Sequence, residues 1–207
     1  VAAASSVSPP KIALACPFRS AGRQSGIARS VAHKNGLCQA VPNCARVTRH
    51  RPAASIPAAQ NRALDALSTP LVAHLDADDL ALPGRFARQV AYLELHPEVA
   101  AVGSDALYVD ENGRPFARCE CPTRSEEIRD RLLTGCCMVH SSVSYRLDAV
   151  RAVGGYASGL GLAEDYDLWL RLSERYALAN LSEPLAAYRV HERQISRRQI
   201  ERLREIT

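Results

Sequence analysis

Leu71-Val72-Ala73-His74-Leu75-Asp76-Ala77-Asp78-Asp79 decides how the rest of this chain is read. The run Leu71–Leu75 suits a short strand buried on both faces, as in a parallel sheet. In an extended chain alternate side chains project to one side, so Asp76 and Asp78 face a common spot where the strand ends. In open α/β sheets that spot, beyond the carboxyl ends of the strands, is where ligands bind. Two hard oxygen donors there suit Mg²⁺ or Mn²⁺ carrying a diphosphate, and suit zinc poorly. The competing role for such acids is to cap the next helix. That role is adopted here for Asp79, whereas Asp76 and Asp78 cannot both be caps.

On either side the chain alternates helix and strand patterns. Ile56, Ala59, Ala63, Leu64 and Leu67 recur at helical spacing, and Ser68-Thr69-Pro70 ends that helix. Pro83 fits the first turn of a helix running to about His96, with Phe86, Val90 and Leu93 inward and Pro97 as the stop. Val99–Val109 reads as a strand, Asp110-Glu111-Asn112-Gly113 as a turn and Arg114–Cys119 as its hairpin partner. Thr123 and Glu126 have capping-box spacing ahead of a helix whose apolar side is Ile128, Leu132 and Leu133. Val139–Arg146 reads as a strand, and Leu147–Val153 as a helix closed by Gly154-Gly155 in a left-handed cap. A helix over Glu164–Tyr176, a strand over Leu185–His191 and an Arg/Glu-rich helix over Ile195–Ile206 complete the pattern. The class is α/β.

The 207 residues are 47% hydrophobic and 23% charged, a globular composition that excludes a collagen, a disordered acidic tail and a disulfide-dense miniprotein. No window approaches the roughly 18 apolar residues of a membrane span, and no basic cluster precedes an apolar core in the manner of a secretory signal. The expectation is cytoplasmic, with peripheral docking at the inner face of a membrane left open. The formal net charge of +4 conceals a break. Residues 1–53 hold eight Lys and Arg and no acid, so residues 54–207 carry 18 basic against 22 acidic side chains, or −4. The early charges stand singly among Ala, Ser, Pro and Cys, without the aromatic interleaving of a nucleic-acid arm, and no nucleic acid is expected. The seven cysteines, an odd number without a signal, argue for reduced thiols. Cys119-Glu-Cys121 with Cys136-Cys137 is poorly spaced for a zinc tetrahedron.

Glu164-Asp165 opens a helix that carries Trp169 one turn on. Acids are common at helix N-termini because the dipole stabilises them by about 0.3–1 kcal/mol. Their order with other motifs says more. Asn61, Asp76-Ala77-Asp78-Asp79, Leu82-Pro83-Gly84, Gln89, His96-Pro97-Glu98, His140-Ser141-Ser142-Val143, Gly154-Gly155-Tyr156, Glu164-Asp165-Tyr166-Asp167-Leu168-Trp169 and Tyr188-Arg189-Val190-His191 follow one another, ending at Gln194 and Ser196. From about Ser55 to Arg198 this series resembles the family-2 glycosyltransferases of the GT-A fold. The resemblance implies a Rossmann-related, mostly parallel sheet flanked by helices. It implies Asp76, Asp78 and Asn61 on the donor side; Asp76, Asp78 and His191 around a Mn²⁺ or Mg²⁺ ion; Asp165 as catalytic base with Glu164 beside it; and Gly154, Gly155 and Trp169 lining the acceptor side. His140 and Ser141 match a strand of the family and read at least as well as structural residues. The implied reaction moves a sugar, with inversion, from a nucleotide diphosphosugar to a hydroxyl on a glycan, a lipid-linked or a small-molecule acceptor.

The chain departs from that pattern at its start. Members of the family open with a strand ending near Pro-x-x-Asn and a second strand carrying an Asp-Asp-Gly-Ser stretch. Here Lys11–Gly22 echoes the first, with Ser20 where Asn is expected, and no acid precedes Asp65. Three segments are therefore expected: an atypical basic segment 1–54, poorly ordered or aberrant, with a composition that fits a stretch read in a shifted frame; a glycosyltransferase-like domain 55–198; and a helical tail 199–207. The incomplete N-terminal half leaves a catalytically inactive fragment or binding module as the alternative. A phosphatase using D-x-D as nucleophile fits less well, because Leu80 stands where Thr or Val is required.

Overall fold

The computed structural model of the chain describes residues 12–15, 55–192 and 194. Its elements in order are β1 (Ile12–Ala15), α1 (Ile56–Ala66), β2 (Leu71–His74), β3 (Leu80–Ala81), α2 (Arg85–Leu95), β4 (Val99–Val109), β5 (Pro115–Cys119), α3 (Ser125–Leu132), a 3₁₀ turn (His140–Ser142), β6 (Ser144–Arg146), α4 (Leu147–Ala152), α5 (Glu164–Ser173) and β7 (Ala177–Arg189). Strands and helices alternate around one sheet of order β1-β2-β6-β4-β7-β3, with β5 beside β4, which bears out the α/β reading. The pairing is more mixed than the mostly parallel sheet implied by the resemblance. β1 with β2 and β4 with β7 run parallel, whereas β2–β6, β4–β6, β4–β5 and β3–β7 are antiparallel. Two of the four come from the short return strand β6, which enters between β2 and β4 against both, and a third is the hairpin of β4 and β5.

The sheet separates two apolar layers because alternate residues of a strand face opposite sides. Val72 joins Ile128, Leu132, Val150, Leu168, Trp169 and Leu172 in the larger core, under α1, α3, α4 and α5. Leu71 turns the other way, to Leu93, Val99, Val102 and Ala179 beneath α2. Burying each large apolar side chain contributes about 1.5–3 kcal/mol, so the larger layer dominates the stability of the domain.

Local signals set most element ends. Ser55 caps α1, its hydroxyl accepting from the Ala58 N–H at 3.3 Å, and Pro57 occupies the first turn. Gly154 and Gly155 take φ values of 88° and 68° after α4, as the left-handed cap requires. Other ends differ from the sequence reading. Gly84, at φ 81°, precedes α2, so the helix starts at Arg85 and Pro83 lies outside it. Arg124 precedes α3 without a side-chain cap, and the Ser125 hydroxyl instead accepts from the Leu178 N–H at 3.1 Å, so the capping box does not form. Leu133 is 76% exposed because α3 ends at Leu132. The stretch read as a strand over 139–146 is split by its 3₁₀ turn, which redirects His140 and Ser141 toward the end of β2. β7 begins eight residues before the expected start, since β4 pairs with it along nearly its whole length.

Of residues 1–54, the structure describes Ile12–Ala15, a strand in parallel register with Leu71–His74. The echo of a first family strand is thus a strand. The rest of that segment, the helix read over 195–206 and the tail 199–207 lie outside the described residues.

Candidate active site

β2 ends at His74, and the chain stays open long enough to bring Asp76 to the end of the sheet. Three contacts, with His74 and Ser141, fix that residue. His74 Nε2 lies 3.1 Å from Asp76 Oδ1, the Ser141 hydroxyl donates to Oδ2 at 3.1 Å, and the Asp76 N–H donates back to Ser141 Oγ at 3.1 Å. Burial by itself would raise the Asp76 carboxyl, but the bond and charge of His74, with His140 and Ser141, overcome it and hold the group well below the usual aspartate range. Asp76 is an anion at neutral pH.

Asp78 projects more openly, with 43% of its side chain exposed, and its Oδ2 lies 2.9 Å from Nε2 of His191. His191 follows β7, so two residues 113 positions apart meet at one edge of the site. His191 also lines an open cleft of about 510 Å³ with Glu111, Arg189 and Glu192. Asp79 does not cap α2. It is buried at 6% exposure, and its Oδ1 accepts from the Arg189 N–H at 2.8 Å, tying the acidic turn to β7. Burial, reinforced by the charges of Asp76 and Asp78 and opposed by Ser141 and the Arg189 N–H, pushes its carboxyl up to about 7.

Glu164 and Asp165 occupy the first turn of α5. Burial raises both carboxyls, and the charge of Asp76 adds to each rise, so the two acid groups share one electrostatic environment. Glu164 is 7% exposed and its Oε2 has no hydrogen-bond partner among the described residues. Asp165 Oδ1 accepts from the Tyr166 N–H at 2.7 Å. The four groups Asp76, Asp78, Asp165 and His191 therefore fall into two linked pairs, one by charge and one by direct contact.

Three expected site residues are engaged differently. Asn61 braces the loop after α4: its Nδ2 donates to the Tyr156 carbonyl and its Oδ1 accepts from the Tyr156 N–H, each at 2.8 Å. Gly155 makes room for it, because a Cβ there would stand 2.6 Å from Asn61 Oδ1. Gly154 is exposed on the same loop, with open space where a side chain would be. Trp169 is fully buried and cannot offer its face to an acceptor ring. One helical turn after Asp165, it lies on the inward side of α5 with Leu168 and Leu172, where burying a large ring is favourable.

Arg85 escaped the sequence reading, and Gln89 entered it as part of the ordered series without a role. The fully buried Arg85 donates from Nη2 to the carbonyls of His74 at 2.7 Å and Val143 at 3.1 Å, and from Nη1 to that of Ser141. Gln89, one turn on, accepts from Arg85 Nε and donates to the carbonyls of Val102 and Ser142. Burial lowers Arg85 to about 9, and the charge of Asp79 opposes the fall. Together they clamp the end of β2 to the 3₁₀ turn. Their spacing in α2, four apart on the buried face, was the available signal. Among the described residues, the group of potential ligands close enough to share an ion is His74, Asp76 and His140, within 4.8 Å of one another; the cysteines form no such group.

The sequence pattern of the family described as "Glycosyltransferase like family 2" matches residues 35–205. The chain belongs to the family-2-like glycosyltransferases. The match starts twenty residues ahead of the resemblance read at Ser55. Among curated relatives of this glycosyltransferase-family chain, the amylovoran biosynthesis glycosyltransferase AmsE of Erwinia amylovora is 33% identical over 68% of this chain and 52% of its own length. The O-antigen biosynthesis glycosyltransferase WbnJ of Escherichia coli is 32% identical over 64% and 52%. The chain spans about half the length of the curated relatives it matches. The mannosyltransferase PcManGT of Pyrobaculum calidifontis, solved in complex with GDP-Man and Mn²⁺, superposes with a TM-score of 0.50 at 18% identity, covering 74% of this chain and 42% of that one. That likeness concerns the fold, which is the GT-A-like α/β architecture. No helix among the described residues is long and apolar enough to cross a membrane.

Proposed function

We propose that this chain forms the metal and acceptor side of an inverting glycosyltransferase, which moves a sugar from a nucleotide diphosphosugar to an acceptor hydroxyl. The observation that carries the reading is the meeting of Asp78 and His191 across 113 residues; separately, the acid pair on α5 senses the charge of Asp76. Asp78 and His191 offer a carboxylate oxygen and an imidazole nitrogen at an accessible edge, and the carboxylate is the donor that suits Mn²⁺ or Mg²⁺. What a divalent ion supplies there is neutralisation of the charge on a departing diphosphate. Asp76, ionised and fixed from two sides, faces the donor as an oriented acceptor of hydrogen bonds, suited to ribose hydroxyls. Asp165 is the base: its raised carboxyl takes a proton from the acceptor hydroxyl more readily than an ordinary aspartate would. Glu164, with a buried oxygen lacking a partner, is placed to receive a second hydroxyl of the acceptor. The names of the amylovoran and O-antigen relatives favour a growing polysaccharide as that acceptor.

The absence of an Asp-Asp-Gly-Ser stretch ahead of the domain supports one further reading, an inactive fragment or binding module that has kept the fold without the activity. Titrating the chain with UDP and with GDP in the presence of Mn²⁺ separates the two. Saturable binding that disappears in Asp78→Ala supports the transferase, and a screen of nucleotide sugars then identifies the donor. No binding of either nucleotide at millimolar concentration supports the inactive fragment.

A further inference from the structure

The side chain of His74 is 1% exposed, yet it points its Nε2 at Asp76, two residues past the end of β2. A buried imidazole is costly unless its polar atoms are partnered, so its place calls for an explanation beyond packing. Its ring lies flat against that of His140, with centroids 3.5 Å apart and planes 10° apart. His140 Nε2 is in turn 2.9 Å from the Tyr156 hydroxyl, and Trp169 meets the His140 ring edge-on at 5.8 Å. The backbone of Tyr156 is held at both polar atoms by Asn61, which Gly155 admits by having no side chain. A continuous series of contacts therefore runs from the glycine loop, through two stacked imidazoles, to one oxygen of Asp76. Ser141 holds the other oxygen.

We infer that His74, His140 and Tyr156 are positioning residues that set the orientation of the Asp76 carboxylate from the loop at Gly154–Gly155. This rests on Asp76 being a donor-site acid, as proposed above. The relay explains why two histidines and a tyrosine occupy sites where apolar residues would pack. A carboxylate already fixed on both oxygens has no rotamer freedom left to lose when a ligand arrives, and geometry of this kind is what a supporting shell supplies. It also ties the acceptor-side loop to the donor-side acid, so a change in either alters the other.

The experiment is calorimetric titration of the full chain with UDP and with GDP in Mn²⁺, on the natural sequence and on His74→Leu, His74→Gln and Tyr156→Phe. Losing a hydrogen bond to a charged group predicts a Kd raised about tenfold in His74→Leu and about threefold in Tyr156→Phe, at the far end of the relay. His74→Gln, which restores a donor toward Asp76, recovers part of the loss. A purely structural role predicts lower melting temperatures with unchanged Kd in the folded variants. Tyr156→Phe removes a single oxygen and keeps the test open if His74→Leu fails to fold. Natural-sequence binding that all folded variants reproduce within about twofold overturns the relay alone. Failure of the natural chain to bind either nucleotide overturns the donor-site reading and the relay with it.

Discussion

Asp165, the base in the function proposed above, carries two expectations. Replacing it by Asn removes the base while keeping shape, so kcat falls by about a hundredfold or more, with the melting temperature little changed. The base works ionised, and its pKa is raised by burial with help from Asp76. Activity is therefore lost, as pH falls, at a higher pH than an ordinary aspartate would give. A pH–rate profile of the natural chain checks this, and an acid limb at the free aspartate value would speak against Asp165. Gly155 is a matter of space and backbone. At φ 68°, with Asn61 Oδ1 2.6 Å from where a Cβ would sit, Gly155→Ala costs about 1–3 kcal/mol in a urea melt. Gly154→Ala meets no neighbour and costs less, the left-handed φ alone opposing it.

Among the elements, α2 is the one whose sequence most misleads. Phe86, Val90 and Leu93 read as its inner face, but the most deeply buried positions are Arg85, Gln89 and Leu93. A guanidinium is tolerated there because three carbonyls where β2 meets the 3₁₀ turn require a donor. Arg85→Met strands those carbonyls and destabilises the chain by about 3–5 kcal/mol, whereas Leu95→Gln, on the exposed side, stays within about 0.5 kcal/mol. Chemical denaturation compares them directly. The apolar face of α5 and the long strand β4 were legible because local periodicity and burial agree there; on α1 the buried positions are Pro57, Gln60 and Leu64, of which the periodicity picked out Leu64 alone. The split of residues 139–146 was not, because Ser141 and Ser142 owe their conformation to partners at Asp76 and Ser104, far away along the chain.

For the molecule as a whole, the acidic turn after β2 meets His191, just past the end of β7, and the charge of Asp76 in that turn reaches the start of α5. Ligand that binds only the folded chain stabilises it by mass action, about 2.7 kcal/mol at a hundred times Kd. Mn²⁺ with the matching nucleotide should therefore raise the melting temperature of the natural chain and leave Asp78→Ala unmoved. A melting curve in which both respond alike would place the ion elsewhere. What the sequence determined unaided was the α/β class, the strand-end acids and their order relative to Glu164-Asp165. Those depend on residue type and on periods of two and 3.6, which are written locally. Only the tertiary structure decided that Trp169 is core, that Asn61 serves a loop, that Asp79 anchors β7 and that two histidines stack behind Asp76. Each of these depends on which distant backbone atom or ring arrives beside the side chain, and that is fixed by packing across the sheet rather than by any neighbour in sequence.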